Sequence, residues 1–217
     1  MAASSYTITG INPNGLTSTA GSPTTGPGQS ANALQDDVWK NVTSSPVTVI
    51  YTISPVTAGC VGNSFTVSAT INPEPVGVAQ TVSTCSDVSS NYNLTTNIAL
   101  LGNNVGSTFG WIALTPNPLL TGQSITLKTG PVINDVLTNV QGSNQNEVYT
   151  VTPTGANSCA GASFQITITV NPEPAGLTTS APKICSGSSV NYDLQVNVNG
   201  VNGVVKPAGS GLTVIVI

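Results

Sequence analysis

Apolar and hydroxylated side chains alternate with a period of two along much of this chain. The cleanest case runs from Phe164 through Ile166 and Ile168 to Val170, with Gln165, Thr167 and Thr169 between them. Such alternation puts apolar groups on one face of a strand and polar groups on the other, the pattern of a half-buried sheet. It predicts strands at residues 48–54, 64–72, 88–97, 110–114, 124–129, 147–152, 163–171, 190–198 and 212–217. The pairs Asn14-Gly15, Asn199-Gly200 and Asn202-Gly203 supply residues that tolerate positive φ at turns. Helical spacing of any consequence is absent; residues 31–38 could make a turn or two. The expected fold is all-β.

The chain also repeats itself. Tyr51, Pro55, Cys60, Phe65 and Asn72-Pro73-Glu74-Pro75 return as Tyr149, Pro153, Cys159, Phe164 and Asn171-Pro172-Glu173-Pro174. Cys85 and Tyr92 return as Cys185 and Tyr192. The period is roughly 99 residues, the size of one β-sandwich domain and the mark of a tandem array. Proline removes a backbone donor and fixes φ, so the two Asn-Pro-Glu-Pro segments read as strand ends followed by short, stiff linkers. This divides the chain into 1–75, a partial repeat with the later strands; 76–174, a complete repeat; and 175–217, a partial repeat with the first strands. Asp37–Val42 aligns with Asp135–Val140, and Tyr6 with Trp111, so the end pieces are complementary halves of one domain. Either the chain is an excerpt of a longer array, or strands pass between copies.

Composition narrows the function. Charged residues make up 6%, His is absent, and the net charge is −4. Lys40, Lys128, Lys183 and Lys206 cannot form a basic patch, so neither nucleic acid nor an anionic membrane is an expected partner. Mean hydropathy of +0.19, with mostly β-branched apolar residues, speaks for a packed domain rather than disorder. No apolar run nears the roughly 20 residues that span a bilayer. Met1-Ala2-Ala3-Ser4-Ser5 has neither charged start nor apolar core, so an export signal is expected outside this chain. Four cysteines in a Lys-poor, Thr-rich chain suit an oxidising, extracellular setting.

Catalysis finds little to work with. Without His, Ser-His-Asp and Cys-His arrangements are excluded. Ser180 and Lys183 spell S-x-x-K, but Pro182 opposes the helix that motif needs. Asp36 and Asp37 fall short of the six to eight oxygens calcium takes, and Cys pairs at zinc spacing are missing. No catalytic residue, metal or cofactor is expected. Trp111 reads as a buried strand tryptophan, whereas Trp39 is a candidate sugar-stacking contact. The sequons at Asn41 and Asn93 are pattern matches only.

At these residues the chain resembles a known family. Tyr51, Thr52, Pro55, Cys60, Gly62, Phe65, Asn72, Pro73 and Pro75, and again Tyr149, Thr150, Pro153, Cys159, Gly161, Phe164, Asn171, Pro172 and Pro174, are similar to the PKD-like, immunoglobulin-like repeats of giant Bacteroidetes surface adhesins of the SprB gliding-motility type. The resemblance implies tandem immunoglobulin-like β-sandwiches, export by the type 9 secretion route, display on the cell surface, and a role as adhesin or stalk. In such a sandwich a Cys85–Cys159 bridge is expected over free thiols, since both positions would share one end. Cys60 of one copy would then meet Cys185 of the next in the same geometry. Three functions stay open: a passive spacer in an adhesin, a self-polymerising filament subunit, and a carbohydrate-binding module. The expected partners are neighbouring repeats or copies of the chain, and surface polysaccharide.

Overall fold

The computed structural model describes residues 3–173, 175–176, 185–189, 195–198, 201–208 and 211–216, with side chains at 3–173 and 185–189 only. The first unit runs β1 (Ser5–Asn12), β2 (Thr17–Ala20), β3 (Gly26–Gln29), β4 (Val38–Lys40), β5 (Val47–Thr57), β6 (Cys60–Val61) and β7 (Phe65–Ile71). Its main sheet has the order β3-β1-β5, with β7 and the short β6 both pairing β5. A small β2-β4 ladder lies beside it.

The second unit opens with β8 (Gln80–Cys85), then β9 (Tyr92–Asn93), α1 (Leu94–Leu101), β10 (Ser107–Ile112), β11 (Leu120–Thr121), β12 (Lys128–Thr129), β13 (Val132–Ile133), β14 (Thr138–Asn139), β15 (Gln145–Gly155) and β16 (Phe164–Asn171). Its sheet has the order β12-β10-β15-β16-β8. All these pairings are antiparallel except β8 with β16, which run parallel from Ile166 opposite Gln80 to Asn171 opposite Cys85. The backbone continues in a separate sheet of β17 (Ala175–Gly176), β18 (Gln195–Val198), β19 (Val201–Ala208) and β20 (Gly211–Val216).

The alternation read from sequence sets the core. In β16, Phe164, Ile166, Ile168 and Val170 are buried, while Thr167 and Thr169 are half-buried and Gln165 is exposed. They pack with Tyr149 and Val151 of β15, Phe109 and Trp111 of β10, and Leu94 and Ile98 of α1. Burial of each such side chain contributes about 1.5–3 kcal/mol. Trp111 sits edge-on to Tyr149, with ring centroids 5.6 Å apart, so it is a core residue as its sequence context predicts.

Of the strand expected at 124–129 only Lys128–Thr129 forms, and residues 190–194 of that expected at 190–198 lie outside the described residues; three further sequence expectations are corrected here. Residues 88–97 do not form a strand: the chain pairs briefly at β9 and then turns into α1, the helix the periodicity reading omitted. Asn93 caps it by accepting from the Thr95 amide, and Leu94 and Ile98, four residues apart, share its buried face. Tyr6 and Ile8 lie opposite Pro55 and Ile53, as Phe109 and Trp111 lie opposite Pro153 and Val151. Tyr6 therefore corresponds to Phe109, and Ile8, rather than Tyr6, to Trp111.

The third correction concerns sulfur. Cys85 ends β8 rather than preceding a strand, and it faces Asn171 at the far end of β16. Cys159 lies in the β15–β16 turn, its carbonyl accepting from the Gly155 amide at 2.9 Å. The eight residues of β16 hold those ends roughly 23 Å apart. A disulfide needs Cα atoms within about 7 Å. Cys85 and Cys159 cannot bridge, and Cys60, Cys85, Cys159 and Cys185 are all free. The Cys60–Cys185 pairing between copies presumed the same geometry, which Cys85 and Cys159 do not have.

Candidate functional site: a docked junction and an open sheet face

The two units share a ladder register. Tyr51 faces Val67 as Tyr149 faces Ile166, and Asn41 and Asn139 make the same clamp in each. Asn41 Nδ2 donates to the Ser45 and Ile71 carbonyls at 2.9 and 2.8 Å, and Asn139 Nδ2 to those of Ser143 and Val170 at 3.0 and 2.8 Å. Each clamp ties the end of the last strand to the loop beside it, just before Asn-Pro-Glu-Pro begins. Tyr51 Oη donates to Asp37 and Tyr149 Oη to Asp135, at 2.8 and 2.6 Å. Burial, and then the carboxylate partner, push the Tyr149 hydroxyl far above its ordinary titration range; burial raises Tyr51 as well. These hydroxyls are structural donors.

Residues 72–75 do not hang free between the units. The Glu74 amide donates to the Asn41 carbonyl at 3.0 Å, and Lys40 Nζ meets Glu74 Oε1 at 3.0 Å. That ion pair is partly exposed and contributes at most about 1 kcal/mol. Asn103, just past the end of α1, does more. Its Nδ2 donates to the Thr43 carbonyl of the first unit at 2.9 Å and to the Glu74 carbonyl at 2.7 Å, while its Oδ1 accepts from the Val76 amide at 3.0 Å. One side chain thus touches the first unit, the linker and the start of the second.

Pro75 is buried against the second unit. A Cβ on Gly161 would lie 2.0 Å from the Pro75 carbonyl oxygen, and one on Gly155 would lie 3.2 Å from Pro75 Cδ. A Cβ on Gly102 would sit 1.6 Å from the Val76 carbonyl oxygen. The glycine of the repeated Cys-x-Gly motif is therefore the seat of the preceding unit's last linker proline. Its first-unit counterpart, Gly62, keeps the same backbone bond, donating to Pro55 at 2.8 Å as Gly161 does to Pro153 at 2.9 Å. A Cβ there would meet only Pro55, at 3.1 Å from its Cγ. A cavity lined by Ala3, Pro55, Thr57, Cys60, Val61 and Gly62 lies beside Gly62, where Pro75 sits against Gly161 in the second unit.

Among the described residues, the first unit also leaves part of its sheet face uncovered. Phe65 and Val67 of β7 are 44% and 36% exposed, whereas their counterparts Phe164 and Ile166 are 8% and 0% exposed. In the second unit β8 pairs the outer edge of β16 and α1 covers its face; among the described residues of the first unit, neither has an equivalent. A groove of about 200 Å³ lined by Tyr6, Ile8, Leu34, Ile53, Phe65 and Val67 is left.

Trp39 is half-buried, packed on the first core, and donates its indole N–H to Tyr51 Oη at 2.7 Å. It is placed as a core-edge residue rather than a projecting platform. Sequence reading missed β8, α1 and Asn103. Only α1 had a signal, an Asn cap before Leu94; Asn103 had none, because its partners lie 27 or more residues away in the sequence.

The architecture is an all-β tandem of sandwich repeats with a built joint between them. The chain belongs to the PKD-like domain family, whose model matches residues 5–75 and 82–174. PKD-like domains are typically non-catalytic modules that often serve as extracellular structural or adhesive repeats. No curated protein matches the chain. Among solved structures, protocadherin gamma B7 extracellular cadherin domains 1–4 is similar over 94% of this chain, at 12% identity and a TM-score of 0.22. The chain spans 50% of the length of that protein's chain. No helix among the described residues is long and apolar enough to cross a membrane.

Proposed function

We infer that this chain is a stalk segment of an extracellular bacterial surface adhesin, holding successive PKD-like units at a set angle and spacing. The observation that carries this reading is the junction. A linker whose carbonyls, amide and proline are all engaged transmits orientation from one unit to the next, as a spacer must and a flexible tether cannot. The Thr-, Ser- and Asn-rich surface with 6% charge suits passive display. The resemblance to gliding-motility adhesins supports surface export by the type 9 route.

The test is exposure on the cell. Antibody raised against residues 76–174 should label intact source cells, protease should shave that signal, and removal of the segment should weaken surface attachment. Labelling that needs permeabilised cells would refute the reading.

A further inference from the structure

We propose that the open face of the first unit is a docking groove for a second copy of this chain, filled by that copy's residues 174–198 so that molecules join head to tail. The template lies within the molecule. In the second unit, the corresponding segment begins with Pro75 on the Gly161 seat, pairs β8 in parallel with β16, and lays α1 over the core. Among the described residues, nothing in the first unit covers the groove beside Phe65 and Val67. It lies at the corresponding position of the shared register.

The donor is legible in the sequence. Pro174 corresponds to Pro75 and Cys185 to Cys85, while Tyr192, Leu194, Asn197 and Val198 stand where Tyr92, Leu94, Asn97 and Ile98 stand. Those second-unit residues make the cover: Leu94 and Ile98 are buried, and Asn97 Nδ2 donates to Tyr92 Oη at 2.9 Å and to the Val78 carbonyl at 2.8 Å. The β7 edge that would receive the donor strand is seven residues long. Among the described residues β7 pairs β5 alone, and a free edge beside exposed apolar side chains is the kind of surface that recruits a strand. Because donor and acceptor lie at opposite ends of the chain, the contact is heterologous and propagates. Within one chain β18 pairs with both β17 and β19, so docking gives up those pairings and recasts residues 195–198 from strand to the counterpart of α1, and is expected to be slow. Residues beyond 202 are surplus, since β1 already fills the strand position they would repeat.

The 217-residue chain is followed by light scattering across a wide concentration range with reductant present. The proposal expects species at multiples of 21.8 kDa that grow with concentration and are lost in Phe65→Asp, an exposed position that tolerates the charge, and in Leu194→Asp. Register is read separately. Asn171 faces Cys85 in the second unit, so Asn72→Cys should cross-link to Cys185 of the next copy and give a non-reducing ladder that Cys185→Ser removes. A single 21.8 kDa species at every concentration would overturn the proposal and leave the face to a segment outside this sequence. So would association indifferent to Phe65→Asp, or an Asn72→Cys ladder that persists without Cys185. These are solution measurements, so their failure leaves the surface-display reading to its own test.

Discussion

Asn103→Ala is the sharpest test of the joint. The wild-type side chain makes three hydrogen bonds, two donated to the Thr43 and Glu74 carbonyls and one accepted from the Val76 amide. Each half-buried bond of this kind contributes on the order of 1 kcal/mol net, so the substitution should weaken docking by about 2–3 kcal/mol. In populations that is roughly a 30- to 150-fold loss of docked over undocked states. Asn103 lies just past α1 and outside either core, so the units themselves should stay folded. The Val76 amide loses its acceptor directly and is uninformative. Relative orientation of the units is the reporter, because the bond from the Glu74 amide to the Asn41 carbonyl stays within residues 1–75 and can outlast an open joint. The Ile168 amide in the core should keep its hydrogen-exchange protection, showing that the units stay folded. Residual dipolar couplings should pass from one alignment tensor for both units to two. A single shared tensor in the variant would refute the assigned role of Asn103.

Other consequences can be checked alongside it. Gly161→Ala places a methyl 2.0 Å from the Pro75 carbonyl oxygen, and should cost about 1–3 kcal/mol and loosen the joint in the same dipolar-coupling assay. The matched Gly62→Ala, whose nearest neighbour is the Pro55 ring at 3.1 Å, should be near neutral by thermal melting. All four cysteines, being free, should react with a thiol reagent in the native protein, and reductant should leave the melting temperature unchanged. Stability should also fall in alkali. Tyr149 is harder to ionise folded than unfolded, so its contribution is intact below its ordinary value of 10.0 and is lost as pH rises beyond it. Tyr149→Phe should flatten that decline in chemical denaturation, while losing about 1–2 kcal/mol at neutral pH with the bond to Asp135.

Several features of this fold were legible in the chain itself. Alternation marked β16 and the core of β15 because side-chain direction in a strand is a local property with period two. The repeat fixed the two matching units because a shared ladder demands apolar residues at shared intervals, and Trp111 fell in the core for the same reason. The Cys-x-Gly and Asn-Pro-x-Pro motifs stood out as strings, yet their meaning did not. Gly161 is small because Pro75, far away in sequence, rests on it, and no local rule reports a contact between distant residues.

Tertiary structure decided the rest. Residues 94–101 carry only a short apolar spacing, and they become a helix because Leu94 and Ile98 find a core to cover and Asn93 closes its first turn. β8 runs parallel to β16, a pairing of residues more than eighty positions apart. That pairing sends Cys85 to the pole opposite Cys159, against the sequence-based expectation of a bridge. The exposure of Phe65 beside the burial of Phe164 was equally invisible: the same residue type in the same motif differs only in whether a strand and a helix arrive to cover it. Pattern along the chain determines which faces are apolar, whereas closure of the whole domain determines which of those faces are covered.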